Sequence, residues 1–421
     1  MNTAAATAGH VVAAPDKFKG SLTAAQAAAH IAAGLTAARP GLAVEQVPVA
    51  DGGDGTVAAA LAAGYRPVPL TVRGPTGQPV RAEFAWRDGT AIIEAAQACG
   101  LTRLPGGQPR PLTATSFGVG ELVAAALARR ARRIVLGLGG VASSDGGAGL
   151  VQALGGRLLD RAGRELPPGG AALTGLHRLD LADLAPLRDA EVLLASDVDN
   201  PLLGEHGAAA VYGPQKGATP ADVITLEAGL TRWADCAERP EAPWPGQPSL
   251  GPGRPGRGRQ RDRPGAGAAG GLGFAAFAFL GARARPGIEL ILELISFPAR
   301  LAGARLVVTG EGSLDEQTLR GKAPAGVARA AAAAAGSGAA GAAGHRLPVV
   351  AVAGRCTLPP ARLREAGLDA AYPLTDLEPD LARCRADAGP LLERAARRIA
   401  RDWLPTRAPG PGGTPGTLAA P

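Results

Sequence analysis

The stretch "VVAAPDKFKGSLTA", residues 11–24, reads as one strand, one loop and the start of one helix. Four small apolar residues suit a short buried strand, and Pro15-Asp16 turns the chain. Thr23 with Gln26 then makes a capping box ahead of an alanine-rich helix running to Ala38, which Arg39-Pro40-Gly41 stops. A second strand over 42–50, the loop "DGGDG" (51–55) and a helix from Thr56 complete a β-α-β-α order. That order opens a parallel sheet with helices on its faces.

Outward from there the pattern changes. Residues 67–96 alternate apolar and polar positions around Gly74-Pro75-Thr76-Gly77 and Asp88-Gly89, which signal antiparallel hairpins. An inserted unit is expected to begin near residue 71 and to hold a helix after Ser116 and strands at 133–140 and 191–197. Residues 239–264 are Pro, Gly and Arg with almost nothing to bury. The apolar runs 305–310, 347–354 and 369–374 then read as further strands of the first sheet.

The expected fold class is therefore α/β with two domains. A doubly wound parallel sheet of Rossmann or flavodoxin type covers 10–70 and 266–404, and a mixed α/β domain is inserted at 71–239, with the active site in the cleft. In this scheme 240–265 is a linker, 330–344 a helix running into a flexible loop, and 1–9 and 405–421 are flexible tails.

Composition removes several functions. The 421 residues are 46% hydrophobic and 19% charged, which is globular, and no long uncharged apolar run suggests a membrane span. The first residues lack the basic and apolar regions of a secretion signal. Cys99, Cys236, Cys356 and Cys384 lie far apart, so neither a disulfide framework nor a zinc site is expected, and a cytoplasmic location is. The net charge of +7 comes from scattered arginine, and aromatics at 3% offer no stacking platform, so nucleic acid is not an expected partner.

Lysine is the informative residue. The chain has four lysines (Lys17, Lys19, Lys216 and Lys322), and its other 40 basic residues are arginine. All four lie in Gly-rich loops placed where strands end: 15–21, 213–218 and 309–324. Arginine is a broad planar fork, whereas lysine is a compact point charge that reaches into a tight glycine-lined pocket beside a phosphate. Such loops also expose backbone N–H groups to anions. Among the acids, Asp16, Asp51, Asp54, Asp145, Asp197, Asp199, Glu311 and Asp315 supply hard oxygen ligands for magnesium, and one of them can accept a hydroxyl proton. These are the parts of phosphoryl transfer. The chain has no Walker A motif, no HRD or DFG, and no GxGxxG after its first strand, which demotes hydride transfer. Ser143-Ser144-Asp145 suits a helix cap as well as it suits catalysis.

Seven motifs in order, "APDKFKGSLTA", "VPVADGGDGT", "GLGGVASSDGGAG", "SDVDNPLLGEHGAA", "YGPQKGA", "PGAGAAGGLG" and "TGEGSLDEQTLRGKAP", resemble the bacterial glycerate kinase family, type I, over about residues 10–404. The resemblance implies ATP-dependent phosphorylation of D-glycerate with magnesium, giving 2-phosphoglycerate in many members, and two α/β domains with the second inserted in the first. Ser143 stands where the family usually has Thr, which keeps the hydroxyl, and Ser144 stands where it often has Asn.

Roles are assigned here by inference. Lys19 and Lys322 are expected against the transferring phosphates, and Asp197 or Asp16 as base or magnesium ligand. The glycerate carboxylate is expected either at the loop and helix start Ser143–Gly147, with Ser143, Ser144 and Gly146 as contacts, or at Lys216. Lys17, Ser21, Gly52, Gly53, Asn200, Gln215, Gly270, Gly310 and Gly312 complete the expected substrate and phosphate contacts. Asp51, Asp54, Asp145, Glu311 and Asp315 are the expected Mg2+ ligands. The expected partners are D-glycerate and ATP, on a monomer or homodimer.

Overall fold

A computed structural model describes residues 9–184, 190–239, 259–319, 321–336 and 346–404. In chain order its strands are β1 (His10–Pro15), β2 (Val44–Gln46), β3 (Arg66–Arg73), β4 (Pro79–Arg87), β5 (Thr90–Glu94), β6 (Arg133–Gly137) and β7 (Arg157–Leu159). They continue with β8 (Arg178–Asp180), β9 (Glu191–Ala195), β10 (Arg283–Arg285), β11 (Ala304–Leu314), β12 (Val349–Cys356) and β13 (Ala370–Pro373).

The first sheet runs β2-β1-β11-β12-β13, all parallel. Counted within the sheet this is the flavodoxin order, and the winding reverses between β1 and β11. Both faces are covered, so β1 is apolar from Val11 to Pro15 rather than alternating. Its side chains still divide by the period of two. Val11 and Ala13 pack under the helices Ala24–Ala38 and Ala388–Trp403, while Val12 and Ala14 join the core on the opposite face. The Thr23–Gln26 capping box forms as the sequence predicts.

The second sheet runs β10-β9-β6-β5-β4-β3. Strands β5, β6, β9 and β10 are parallel, and β4 and β3 fold back antiparallel. The Asp88-Gly89 hairpin has φ of 48° and 81°, the pair of left-handed residues that a two-residue turn of this hand requires. Helices Thr56–Ala62, Gly287–Leu294 and Ala323–Gly336 pack between the sheets in one core that includes Val12 and Val307 from the first and Ile92, Val135 and Leu193 from the second.

Two expected boundaries differ from the sheets observed. The second sheet starts at Arg66 rather than near 71, because the whole of β3 pairs with β4 from Arg66↔Trp86 onward. It also takes β10, and the helix Ala268–Phe279 packs with Trp233 in its outer core, so 266–285 side with the inserted unit. Residues 240–258 of the expected linker, 337–345, and the tails 1–8 and 405–421 lie outside the described residues. The end of that linker is ordered, since Arg261 bridges Asp235 and Glu238 at 2.8 and 2.7 Å. Among the described residues no helix is long and apolar enough to cross a membrane.

Candidate active site

The reversal between β1 and β11 builds the floor of the site. Pro15 lies in register with Gly310, and the Asp16 N–H donates to the Gly310 carbonyl at 2.8 Å. Gly310 has no room for a side chain because the Val352 carbonyl occupies that space. The next residue on each strand is an acid, Asp16 on one and Glu311 on the other, and both are buried.

Burial raises both carboxyls. Asp16 is pushed up to about 7, against the pull of Lys17 and with a further push from Asp51; Lys322 opposes the rise. Its carboxylate also accepts the Lys17 N–H at 2.6 Å. Glu311 rises to about 7, against a 2.6 Å hydrogen bond from the Thr318 hydroxyl and the charge of Lys322. Lys17 lies between Asp16 and Asp51, its Nζ 3.7 Å from the first and 3.9 Å from the second. Burial works to lower this ammonium, and Asp16, Asp51, Asp54 and Glu94 outweigh it, so its pKa is raised and it stays charged.

The "DGGDG" loop carries the site across to the second sheet. Side chains added at Gly52, Gly139 and Gly287 would strike Ala195, Gly53 and the Asp51 carbonyl respectively, so backbone lies directly on backbone. Beneath the loop, Glu94 at the end of β5 accepts the N–H groups of Gly55 and Val57 at 3.0 and 3.2 Å. Asp197, just beyond β9, accepts the Gly287 N–H at 2.8 Å. It reaches solvent, yet the protein atoms packed around its carboxyl remove enough water to push it to about 6; Asp51 and Glu289 add to the rise.

The loop after β6 leads to the second cluster. Lys216 is buried, and its Nζ donates to the Ser143 carbonyl and, at 3.4 Å, to the Ser144 hydroxyl. Burial lowers this ammonium to about 8, with Cys99 and Asp145 opposing. Gly270, at φ 70°, lies against both the Ser143 carbonyl and Lys216 Nζ.

The other expected residues divide by environment. Asp145 turns inward: its carboxylate accepts Ser116 N–H (2.7 Å), Ser116 Oγ (2.9 Å), Gly147 N–H (3.1 Å) and Gly149 N–H (3.2 Å), pinning two helix starts. In this structure its carboxylate therefore faces scaffold donors. Asn200 donates to the His206 carbonyl and accepts from Tyr212, so its amide braces its own loop. Ser21 donates to the Phe18 carbonyl, and Asp315 holds the turn before Glu316–Leu319. Lys19, Asp54 and Gln215 are exposed. Gly312 and Gly53 have their α-carbons beside the Lys19 amide and Gly139. Gly146 gives its N–H to the Gly270 carbonyl at 3.0 Å. Sequence reasoning missed Glu94, Thr318 and Gly287. For Glu94 a signal existed: like Asp16, it is a lone acid directly after an apolar run.

The glycerate kinase family profile matches residues 11–404. The chain belongs to this family. Its relatives include a glycerate kinase of Bacillus subtilis (strain 168), 42% identical over 394 residues that cover 93% of this chain and 96% of that protein. A glycerate 2-kinase of Escherichia coli (strain K12) is 38% identical, over 93% of this chain and 97% of its own. A crystal structure assigned as glycerate kinase 2 from Salmonella typhimurium LT2 superposes with a TM-score of 0.74 at 38% identity, covering 94% of this chain and 98% of that one.

Magnesium is expected for a glycerate kinase. Among the described residues no three His, Cys, Asp or Glu side chains gather as a metal cage. Magnesium, however, commonly takes one or two carboxylates and leaves the rest of its shell to water and substrate phosphates. Asp16 senses the charge of Asp51, and Glu311 that of Asp16, so one or two of these three carboxylates would fit that donor set.

Proposed function

We propose that this glycerate kinase transfers the terminal phosphoryl group of ATP to the 2-hydroxyl of D-glycerate, giving 2-phosphoglycerate. The observation that carries the reading is the pairing of Asp16 and Glu311 at the strand reversal, both raised to about 7 and both under the charge of Lys322. An acid titrating near neutrality is suited to accept a hydroxyl proton, since it is ionised yet basic at working pH. Asp16 takes that role. Lys17 and Lys322 meet the charge of the phosphates, with Lys19 exposed on the same loop to join them. Asp51 and Glu311 hold magnesium, which when bound offsets phosphate charge.

Asp197 fixes the Gly287 amide and so the contact between the two sheets. Lys216 holds Ser143 and Ser144 in place for the glycerate carboxylate. The name of the E. coli relative, a glycerate 2-kinase, favours the 2-hydroxyl. The enzyme works on small molecules in the cytoplasm, as a monomer or homodimer.

A coupled assay tests this directly. Purified protein with ATP, Mg2+ and D-glycerate is read through enolase with no mutase added, and an immediate signal is expected. ADP release without that signal would overturn the 2-product. Turnover unchanged in Lys322→Ala and Asp16→Ala would overturn the assigned roles.

A further inference from the structure

Helix Ala388–Trp403 presents Arg394, Arg397, Arg398 and Arg401, all exposed, at the spacing i, i+3, i+4, i+7 that puts them on one stripe. Together with Arg39 they line a cavity of about 460 Å³ whose apolar lining is Ala38 and Leu377. The cavity lies on the helical layer covering the face of the parallel sheet turned away from the second sheet, outside the site described above.

These charges are poorly compensated. Arg397 has Glu393 at 3.6 Å, but among the described residues Arg394, Arg398 and Arg401 pair with no carboxylate. Of the nearby acids, Asp402 accepts from Tyr372, Asp380 caps Leu381–Ala386 and Glu378 accepts the Asp380 N–H, while Asp376, next to Leu377, is exposed and forms no ion pair with these arginines among the described residues. A solvated helix face is the plain reading of an arginine stripe, and helix ends account for part of this one. Arg39 donates to the Ala38 and Leu404 carbonyls, and Arg401 lies in the last turn, where a cation is favoured. Arg394 and Arg398 lie beyond that reach, and with Arg39 from another helix they line one open groove.

We propose that this cavity binds a small polyanion carrying at least two phosphate or carboxylate groups. Guanidinium forks engage such oxygens two at a time, and the volume suits a compact metabolite. No aromatic ring lines it to stack a base, which sets a small anion above nucleic acid.

Isothermal titration of the full chain with pyrophosphate, at fixed salt, tests the proposal against Arg394→Ala/Arg398→Ala. Any binding at the kinase site is common to both proteins. The wild type should give an additional binding event that the variant loses or weakens at least tenfold, with ATP binding and thermal midpoint unchanged. If that variant folds poorly, Arg397→Ala/Arg398→Ala should give the same loss. Identical isotherms for wild type and variant would overturn the proposal. So would a 20-nucleotide single strand held more tightly than pyrophosphate and released by the same substitutions.

Discussion

Asp16→Asn separates the charge of the buried carboxyl from its shape. In the folded chain Asp16 titrates at about 7, against 3.8 as its ordinary value, because burial disfavours the ion. The folded state therefore holds the proton more tightly than the unfolded one. Stability linked to this group is complete below about pH 4 and is lost as pH rises through 7. A shift of about 3 units at about 1.4 kcal/mol each corresponds to roughly 4 kcal/mol at pH 8 and, since only part of the interval has been crossed, roughly 2 kcal/mol at pH 5. Asparagine stays neutral and can still accept the Lys17 N–H. The variant should be more stable than wild type by those amounts. With an unfolding entropy of about 2.1 cal/mol/K per residue, they become midpoint gains of about 5 °C at pH 8 and about 2 °C at pH 5. Turnover should meanwhile fall by about 10²- to 10⁴-fold, the usual range for losing a general base. The assay is thermal unfolding of both proteins across pH 5–8 without nucleotide, beside steady-state kinetics. A stability difference that does not grow with pH would refute the account of the buried carboxyl, and normal turnover would refute its role.

Other expectations follow from the same geometry. The activity of the free enzyme, read as kcat/KM, should rise between about pH 6 and 7 as Asp197 (about 6) and Asp16 and Glu311 (about 7) ionise, and a flat profile there would contradict the site. Gly287→Ala puts a methyl group against the Asp51 carbonyl and should cost about 1–3 kcal/mol in denaturant unfolding, as overpacking does, together with a loss in kcat/KM. Lys216 titrates at about 8 in the fold against 10.5 ordinarily, so its burial penalty is full below pH 8 and is relieved as pH rises to 10.5. Measured against Lys216→Met, wild type should gain about 3 kcal/mol over that interval. No such trend in paired unfolding curves would mean that the ammonium is not buried as described.

What could be read from the sequence was whatever declares itself locally. The strand, loop and capped helix of residues 11–38 carry their own signals, and Asp88-Gly89 marks its hairpin because few other pairs tolerate two left-handed residues. Strand β10 was illegible for the opposite reason: Arg-Ala-Arg has no apolar alternation, and it is a strand because it pairs with β9 at the sheet edge. In the site, Asp16, Lys17 and Asp51 were nameable from their loops. The surroundings of Asp145 were not legible, because an acid before two glycines looks the same whether its carboxylate faces a ligand or five donors of its own scaffold. Gly287 contributes only a backbone N–H, so nothing in its identity pointed to Asp197.

The pairing of β1 with β11 joins residues 10–15 to a segment beginning at 304. Asp16 and Glu311 therefore become neighbours only once most of the chain has been made. At roughly 5–20 residues per second of synthesis, a growing chain carries Asp16 for at least about 15 seconds before its counterpart exists. During that time the Lys17 loop has no opposing wall. Incomplete chains released before Glu311 are thus expected to be catalytically silent, so ATP is not spent by partly built copies of the enzyme. The strand order thus makes the two halves of the site depend on segments made far apart in time, with β12 and β13 still to follow.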